Sequence, residues 1–189
     1  MTASPLRRAT PEEYLAFENA AAEKHEYVNG EIYAMSGGSL EHAMVASSVS
    51  TLLNLTFRPG CVALSSDMRL RVVETEMYTY PDVALVCGRP ELDPRDRHGL
   101  LNPSVLVEVL SPSTEGYDRG AKFAHYRHIP SLQHYVVVDP IARRVEVFTR
   151  TGEPTWTVEF AEGEGATFGL LGKRLPAADL WLGLELIEG

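Results

Sequence analysis

The stretch Val105-Leu106-Val107-Glu108-Val109-Leu110 decides the fold, because its apolar residues are typical of a fully buried β-strand. Glu108 interrupts this apolar run, and a buried carboxylate costs on the order of several kcal/mol unless it is paired or bound to a metal ion. Successive side chains of a strand point to opposite faces, so Glu108 shares its face with Leu106 and Leu110. The stretch therefore predicts a core strand with a buried acid near its end.

A second carboxylate opens the apolar run that comes before it. Asp82 follows Pro81 and directly precedes Val83-Ala84-Leu85-Val86. If the two strands are neighbours, the start of one and the end of the other bring Asp82 and Glu108 to the same sheet edge. Two carboxylates suit a hard divalent cation such as Mg²⁺, with Mn²⁺ as its substitute. The alternative is a structural acid that an arginine or backbone amides hold in place.

A predicted helix over about residues 115–128 follows the Glu108 strand. Asp118, Lys122 and Tyr126 lie four residues apart and therefore share one face of that helix. Beside a metal ion, Lys122 would position the attacking water or stabilise charge on a phosphate. Tyr126 would pack in the core and reach the site with its hydroxyl. The alternative for Asp118 and Lys122 is a surface ion pair worth about a few tenths of a kcal/mol.

Helices and strands alternate along the rest of the chain. We expect a helix over about residues 11–23, a hairpin that turns at Asn29-Gly30, and a helix over about residues 40–57. The segment from Gly88 to Asn102 is rich in Pro, Asp and Arg, which is typical of a surface loop and of a flap near a substrate. The order of elements predicts an α/β fold (mixed α+β), in which helices pack on one mixed sheet.

Three further side chains are candidates for the site. His42 lies on the inward stripe of the second long helix, so it is either a satisfied core histidine or a residue that contacts phosphate or supports the site. Glu26 and Glu31 flank the Asn29-Gly30 turn, and each is a possible third carboxylate. For Glu31 we prefer a charge that protects an edge strand from aggregation.

Composition limits the partners and the location. The 189 residues, 44% of them hydrophobic, predict one domain over residues 1–189 with a sizeable core. The net charge of -9 argues against indiscriminate nucleic-acid binding, and we expect basic residues such as Arg69 and Arg71 to be ordinary solvated charges. Cys61 and Cys87 provide neither a disulfide framework nor a zinc motif. Without an apolar span or a secretory signal, we expect a cytoplasmic protein that does not enter membranes.

Several motifs together resemble the Uma family of restriction endonuclease-like proteins, within the PD-(D/E)XK nuclease superfamily. They are Tyr80-Pro81-Asp82-Val83, Leu106-Val107-Glu108-Val109-Leu110-Ser111-Pro112-Ser113-Thr114, the Asp118, Lys122 and Tyr126 series, and Tyr135-Val136-Val137-Val138-Asp139-Pro140. The resemblance covers nearly the whole chain. It implies a restriction-endonuclease-like core, a central mixed β-sheet flanked by helices, in which Asp82 and Glu108 hold Mg²⁺. The superfamily usually has a lysine where this chain has Leu110, and the resemblance implies that Lys122 replaces it.

The leading hypothesis is a Mg²⁺-dependent endonuclease that hydrolyses DNA phosphodiester bonds. Asp82 and Glu108 would bind the metal, Lys122 would assist the attacking water, and Glu26 and His42 are further catalytic candidates. A homodimer would suit the cutting of both strands of a duplex. One alternative is a non-catalytic module of the same fold that binds nucleic acid or a protein partner, which the acidic charge favours. A third is hydrolysis of a small phosphorylated molecule. No Gly-x-Ser-x-Gly or His-Glu-x-x-His motif supports a serine hydrolase or a zinc protease.

Overall fold

The computed structural model describes residues 4–35 and 37–187. The helices are α1 (Pro11–Glu18), α2 (Leu40–Phe57), α3 (Glu115–Tyr117) and α4 (Phe123–Tyr126), with a π-helical turn at Asp118–Lys122 and 3₁₀ turns at Ala177–Leu180 and Leu184–Leu186. The strands are β1 (Arg7–Arg8), β2 (His25–Val28), β3 (Glu31–Ala34), β4 (Cys61–Ser65), β5 (Arg69–Val72), β6 (Met77–Thr79), β7 (Val83–Cys87), β8 (Leu92–Asp93), β9 (Asp96–Leu100), β10 (Val105–Val109), β11 (His134–Asp139), β12 (Arg144–Arg150), β13 (Trp156–Glu162), β14 (Thr167–Leu170) and β15 (Lys173–Pro176).

The central sheet is mixed and carries a hydrophobic core on each face. Its six strands lie in the order β13-β12-β11-β10-β7-β4, and β10 runs parallel to β11 but antiparallel to β7. Val107 belongs to the cluster on the face that α2 covers, whereas Leu106 belongs to the cluster on the opposite face with Tyr126 and Tyr135. The predicted alternation along β10 is therefore confirmed, and Glu108 lies on the Leu106 face.

The register between β7 and β10 brings the two predicted acids to one edge. Val83 pairs directly with Val107 across the antiparallel strands. Asp82 precedes Val83 and Glu108 follows Val107, so the two carboxylates leave neighbouring strands at the same level. The expectation that they reach the same edge of the sheet is confirmed by this pairing.

Leu92–Asp93 and Asp96–Leu100, within the segment from Gly88 to Asn102, are strands of a second sheet. The predictions of a loop at these residues and of one mixed sheet are therefore wrong. This seven-stranded sheet has the order β1-β3-β2-β6-β5-β9-β8. Arg69 on β5 binds Asp96 at 2.7 Å, and Arg71 binds Asp93 at 2.7 Å. Arg69 is only 2% exposed, so the expectation of a solvated charge is also wrong for it. The paired acids make burial of these arginines tolerable.

The helix ends follow local capping rules. Thr10 and Glu13 form a capping box, with each side chain accepting the other's backbone N–H. Ser39 caps α2 by accepting the N–H of His42. Helix α1 ends at Glu18 rather than at the predicted residue 23. The Glu18 carboxylate instead accepts the N–H of His25 at 3.0 Å, which fixes the chain as it enters β2.

The two cysteines form a bond that their number did not predict. Cys61 and Cys87 are direct partners of β4 and β7, and a disulfide joins them. Disulfides are uncommon in reducing compartments, so the cysteines give no support to the expected cytoplasmic location. Across residues 4–35 and 37–187, helices with the length and apolar content needed to cross a membrane are not found.

Candidate active site

Lys122 is the central cation of the candidate site. Its Nζ lies 2.9 Å from Oε1 of Glu108 and 3.4 Å from Oδ1 of Asp118. A third carboxylate, Glu26, places Oε1 at 3.5 Å. The lysine side chain is only 6% exposed, so the alternative of a solvated surface pair with Asp118 is wrong. The cluster unites residues from β2, β10 and the helical segment.

A π-helical turn delivers two of these side chains. The predicted continuous helix is interrupted at Asp118–Lys122, between α3 and α4, and both Asp118 and Lys122 are buried. Single π-helical turns are rare and often occur at functional sites. The predicted shared face is confirmed, because Tyr126 from α4 reaches the same cluster.

Glu108 makes a hydrogen bond and an ion pair through a single oxygen atom. The hydroxyl of Tyr126 donates to Oε1 at 2.7 Å, and the ammonium of Lys122 contacts the same atom. Burial raises the pKa of Glu108 well above its usual value, and the charges of Asp118 and Asp82 act in the same direction. Burial also raises the pKa of Asp118, against the effect of Lys122.

Asp82 is fixed by a backbone amide and an imidazole. Its Oδ2 accepts the N–H of Val109 at 2.7 Å and lies 3.1 Å from Nε2 of His42. This hydrogen bond is the main reason that the pKa of His42 is raised, and burial opposes it. Gly38 makes room for the ring, since a Cβ there would lie 2.6 Å from Nδ1 of His42. His42 therefore faces the site, and the structure brings it to Asp82.

The structure distinguishes the two glutamates that flank the hairpin turn. Glu26 lies in the cluster, where the hydroxyl of Thr79 donates to its Oε1. Glu31 lies elsewhere and contacts Arg8 at 3.2 Å and the Tyr33 hydroxyl at 2.7 Å. Strand alternation alone could not predict which of the two glutamates lies in the cluster, because the sequence does not show which face of β2 points inward.

Sequence reasoning missed two neighbours of the cluster. Thr79 precedes the Tyr80-Pro81-Asp82 motif, and its role in holding Glu26 has no sequence signal. Tyr117 is 7% exposed and lies with its ring centroid 5.8 Å from Nζ of Lys122. The Tyr117 hydroxyl is buried and has no hydrogen-bond partner among the described residues. Its place one residue before Asp118 was the available clue.

Glu108, Asp118 and Lys122 of this cluster line an open cleft of about 830 Å³. One wall comes from the start of α2 and the glycines before it, and another from the turn after β10. The charged lining is mostly acidic and hydroxyl groups are frequent; the lining includes Glu23, Lys24, Gly37, Gly38, His42, Ser47, Ser50, Ser65, Ser66, Tyr80, Asp82, Glu108, Ser111, Thr114, Asp118 and Lys122. The cleft has the size of a small-molecule or short-oligomer site.

The donor set of this cleft fits a divalent cation. Within residues 4–35 and 37–187, three His, Cys, Asp or Glu side chains are nowhere arranged as a ready-made ligand set. Asp82 nevertheless makes its contacts through Oδ2, and Glu108 makes its contacts through Oε1. One oxygen of each carboxylate therefore remains for a ligand. Carboxylates also outnumber the cations of the cluster, so its charge favours an added cation.

Comparison with known proteins gives a family model, relatives and a solved structure. The Uma2 model, described as "Putative restriction endonuclease", matches residues 11–172. The uncharacterized protein slr1290 of Synechocystis sp. (strain PCC 6803) is 41% identical over 159 residues, which cover 82% of this chain and 81% of that protein. The uncharacterized protein sll1609 of the same organism is 36% identical over 167 residues, which cover 88% of this chain and 94% of that protein.

The solved structure supports the fold. A crystal structure of a "putative nuclease belonging to DUF820" from Anabaena variabilis ATCC 29413 matches with a TM-score of 0.74, over 92% of this chain and 97% of that chain. The sequence identity is 19%, so this likeness concerns the arrangement of the chain and not its activity. The predicted restriction-endonuclease-like core is confirmed by it.

Proposed function

The chain belongs to the Uma2 family, and from this premise we propose that it is a Mg²⁺-dependent endonuclease that hydrolyses phosphodiester bonds of DNA. The observation that carries the proposal is the meeting of two acids and a lysine at one sheet edge. Asp82 and Glu108 flank the Val83–Val107 pair, and Lys122 contacts Glu108 at 2.9 Å. The family description supports a nuclease, and the carboxylate donors of the cleft support the metal.

Each residue of the cluster has a distinct task in this proposal. Asp82 and Glu108 would hold Mg²⁺, and a bound Mg²⁺ would supply a water of lowered pKa and neutralise charge on the scissile phosphate. His42 keeps Asp82 in one orientation through the bond to Oδ2. Lys122 stabilises the negative charge that grows on the phosphate in the transition state. Glu26, anchored by Thr79, helps to keep the lysine ammonium in the cleft.

A second candidate function is a non-catalytic module that binds a protein partner. The scarcity of basic groups in the cleft favours it, because Lys24 is the only lysine or arginine besides Lys122 among the described residues that line it. Binding to a duplex through its phosphates normally requires several Lys or Arg contacts and weakens steeply with salt. The two candidates therefore differ in whether Mg²⁺ converts DNA into product.

Nicking of a supercoiled plasmid in the presence of Mg²⁺ tests the proposal. We expect Asp82→Asn and Lys122→Met each to reduce the nicking rate by roughly 100-fold or more, because each removes a group that acts on the transition state. Glu31→Gln is the matched control, since it removes a carboxylate from the same hairpin but outside the cluster. Nicking that persists at the wild-type rate in the Asp82→Asn/Lys122→Met double variant would refute the assignment.

A further inference from the structure

The contact between Lys122 and Glu108 involves one of the two proposed metal ligands. Both side chains are buried, and the ammonium forms an ion pair with Oε1 at 2.9 Å. The contacts of Lys122 with Asp118 and Glu26, at 3.4 Å and 3.5 Å, are longer. The shortest contact of Lys122 is therefore with the carboxylate that would bind the metal.

We propose, building on the function proposed above, that Lys122 is an internal counter-ion that competes with the divalent cation for Glu108. In the metal-free protein, the ammonium compensates the buried charge of Glu108. When Glu108 binds a cation, repulsion between the two positive charges drives the ammonium toward Asp118 and Glu26. Lys122 thus sets the metal affinity of the site and reaches its catalytic position only when metal is bound.

The two carboxylates toward which the ammonium would move are already close to it in the structure. Glu26 is held in place by the hydroxyl of Thr79, and Asp118 lies one helical turn before Lys122, 3.4 Å from its ammonium. Their distances to Nζ leave room to shorten toward a charge-assisted hydrogen bond.

The buried hydroxyl of Tyr117 supports the same direction of movement. Its ring lies near Nζ of Lys122, at 5.8 Å from the centroid, and its oxygen has no hydrogen-bond partner among the described residues. Unsatisfied buried polar groups are rare because they cost free energy. An ammonium that leaves Glu108 would give this hydroxyl a donor, so the metal-bound arrangement would satisfy an atom that the metal-free arrangement does not.

Titration with Mn²⁺, followed by electron paramagnetic resonance of the free ion, tests the competition. We expect Lys122→Met to bind Mn²⁺ about tenfold or more tightly than the wild type, although it does not cleave DNA. Lys24→Met is the matched control, because Lys24 lines the same cleft but contacts Ser66 and Asp67, and its effect should stay below about twofold. If Lys122→Met does not fold without metal, Lys122→Gln replaces it.

Tyr117→Phe tests where the ammonium goes without changing any charge. We expect this substitution to weaken Mn²⁺ binding about threefold in the wild-type background and to have no effect in the Lys122→Met background. An equal effect in both backgrounds would overturn the proposed destination of the ammonium.

The outcomes separate this inference from the function on which it depends. If Lys122→Met binds Mn²⁺ no more tightly than the wild type, the proposed competition is overturned. The metal site itself would still stand. Absence of Mn²⁺ binding in the wild type and in Lys122→Met alike would overturn both proposals. Tighter binding in Lys122→Met that Glu108→Gln then abolishes would support both.

Discussion

Nε2 of His42 lies 3.1 Å from Oδ2 of Asp82, and this same oxygen accepts the N–H of Val109 at 2.7 Å. The carboxylate is thereby held between α2 and the end of β10. Gly38 is part of this arrangement, because its Cα lies where any side chain would collide with the imidazole. The orientation of one proposed metal ligand therefore depends on a glycine whose lack of a side chain leaves space for the imidazole.

Gly38→Ala should displace His42 and impair the site. The new Cβ would lie 2.6 Å from Nδ1 and 2.9 Å from Cγ, so the ring must rotate away from Asp82. We expect Mn²⁺ affinity to fall by roughly tenfold, as for the loss of other partners that orient metal ligands. Gly37→Ala is the control, since a Cβ there meets no atom within 4 Å. Equal Mn²⁺ affinities in the two variants would contradict this role of Gly38.

The placement of the two acids could be predicted from the sequence because it depends on short-range rules. Strand alternation predicts the face of the sheet on which Glu108 lies. The positions of Asp82 and Glu108, at the start and the end of apolar runs, predict the edge of the sheet that both reach. The spacing of Asp118, Lys122 and Tyr126 then fixed the helical contribution. These inferences need only that β7 and β10 are neighbours, which their register confirms.

The errors have a common physical cause in long-range pairing. The charged segment from Gly88 to Asn102 has the composition of a loop, but its strand β9 pairs with β5. Asp96 of β9 neutralises Arg69, and Asp93 of β8 neutralises Arg71. The Cys61–Cys87 bond likewise depends on the register of β4 and β7. No local pattern reveals which distant strand supplies a partner.

Breaking the Arg69–Asp96 pair should be strongly destabilising. Both side chains are 2% exposed, and Asp96 accepts two hydrogen bonds from the guanidinium. Asp96→Asn leaves the arginine charge buried without its counter-ion, so we expect a loss of about 3–5 kcal/mol in the free energy of unfolding. Urea denaturation followed by circular dichroism measures this loss.

The Arg8–Glu31 pair is the matched control for that experiment. It joins two strands of the same sheet, but the arginine side chain is 88% exposed. Arg8→Gln should therefore cost no more than about 1 kcal/mol. If the two substitutions cost the same, burial does not govern the strength of these ion pairs.

His134 should make the stability of the fold depend on pH. The N–H of Leu171 donates to its Nε2 at 3.0 Å, and Nδ1 lies 3.0 Å from Oγ1 of Thr149, so the ring is neutral. Burial lowers the pKa of His134 in the folded state. A lowered pKa means that the unfolded chain takes up the proton first. The contribution of His134 is therefore complete above about pH 6.5 and is lost as the pH falls below that value.

The free energy of unfolding between pH 8 and pH 5 tests this dependence. We expect the decrease with falling pH to be smaller in His134→Gln than in the wild type. His98→Gln serves as the control because His98 is exposed. If the free energy of unfolding depends on pH equally in His134→Gln and in the wild type, other groups are responsible for the dependence.

Tyr126 and Tyr135 allow the charge of Glu108 to be measured. Both tyrosines are fully buried in one aromatic cluster, but Tyr126 donates to the Glu108 carboxylate at 2.7 Å whereas Tyr135 donates to the main-chain oxygen of Asp118 at 2.8 Å. A hydrogen bond to a charged group contributes about 1.5–3 kcal/mol, compared with about 0.5–1.5 kcal/mol for a neutral acceptor. At pH 8, Tyr126→Phe should therefore destabilise the protein more than Tyr135→Phe.

As the pH falls and Glu108 takes up a proton, the difference in stability between these two variants should vanish. Because burial raises the pKa of Glu108, this change should occur above the usual carboxylate range. Equal losses at pH 8 would mean that Glu108 is already protonated there, and Lys122 would then have no charge to compensate.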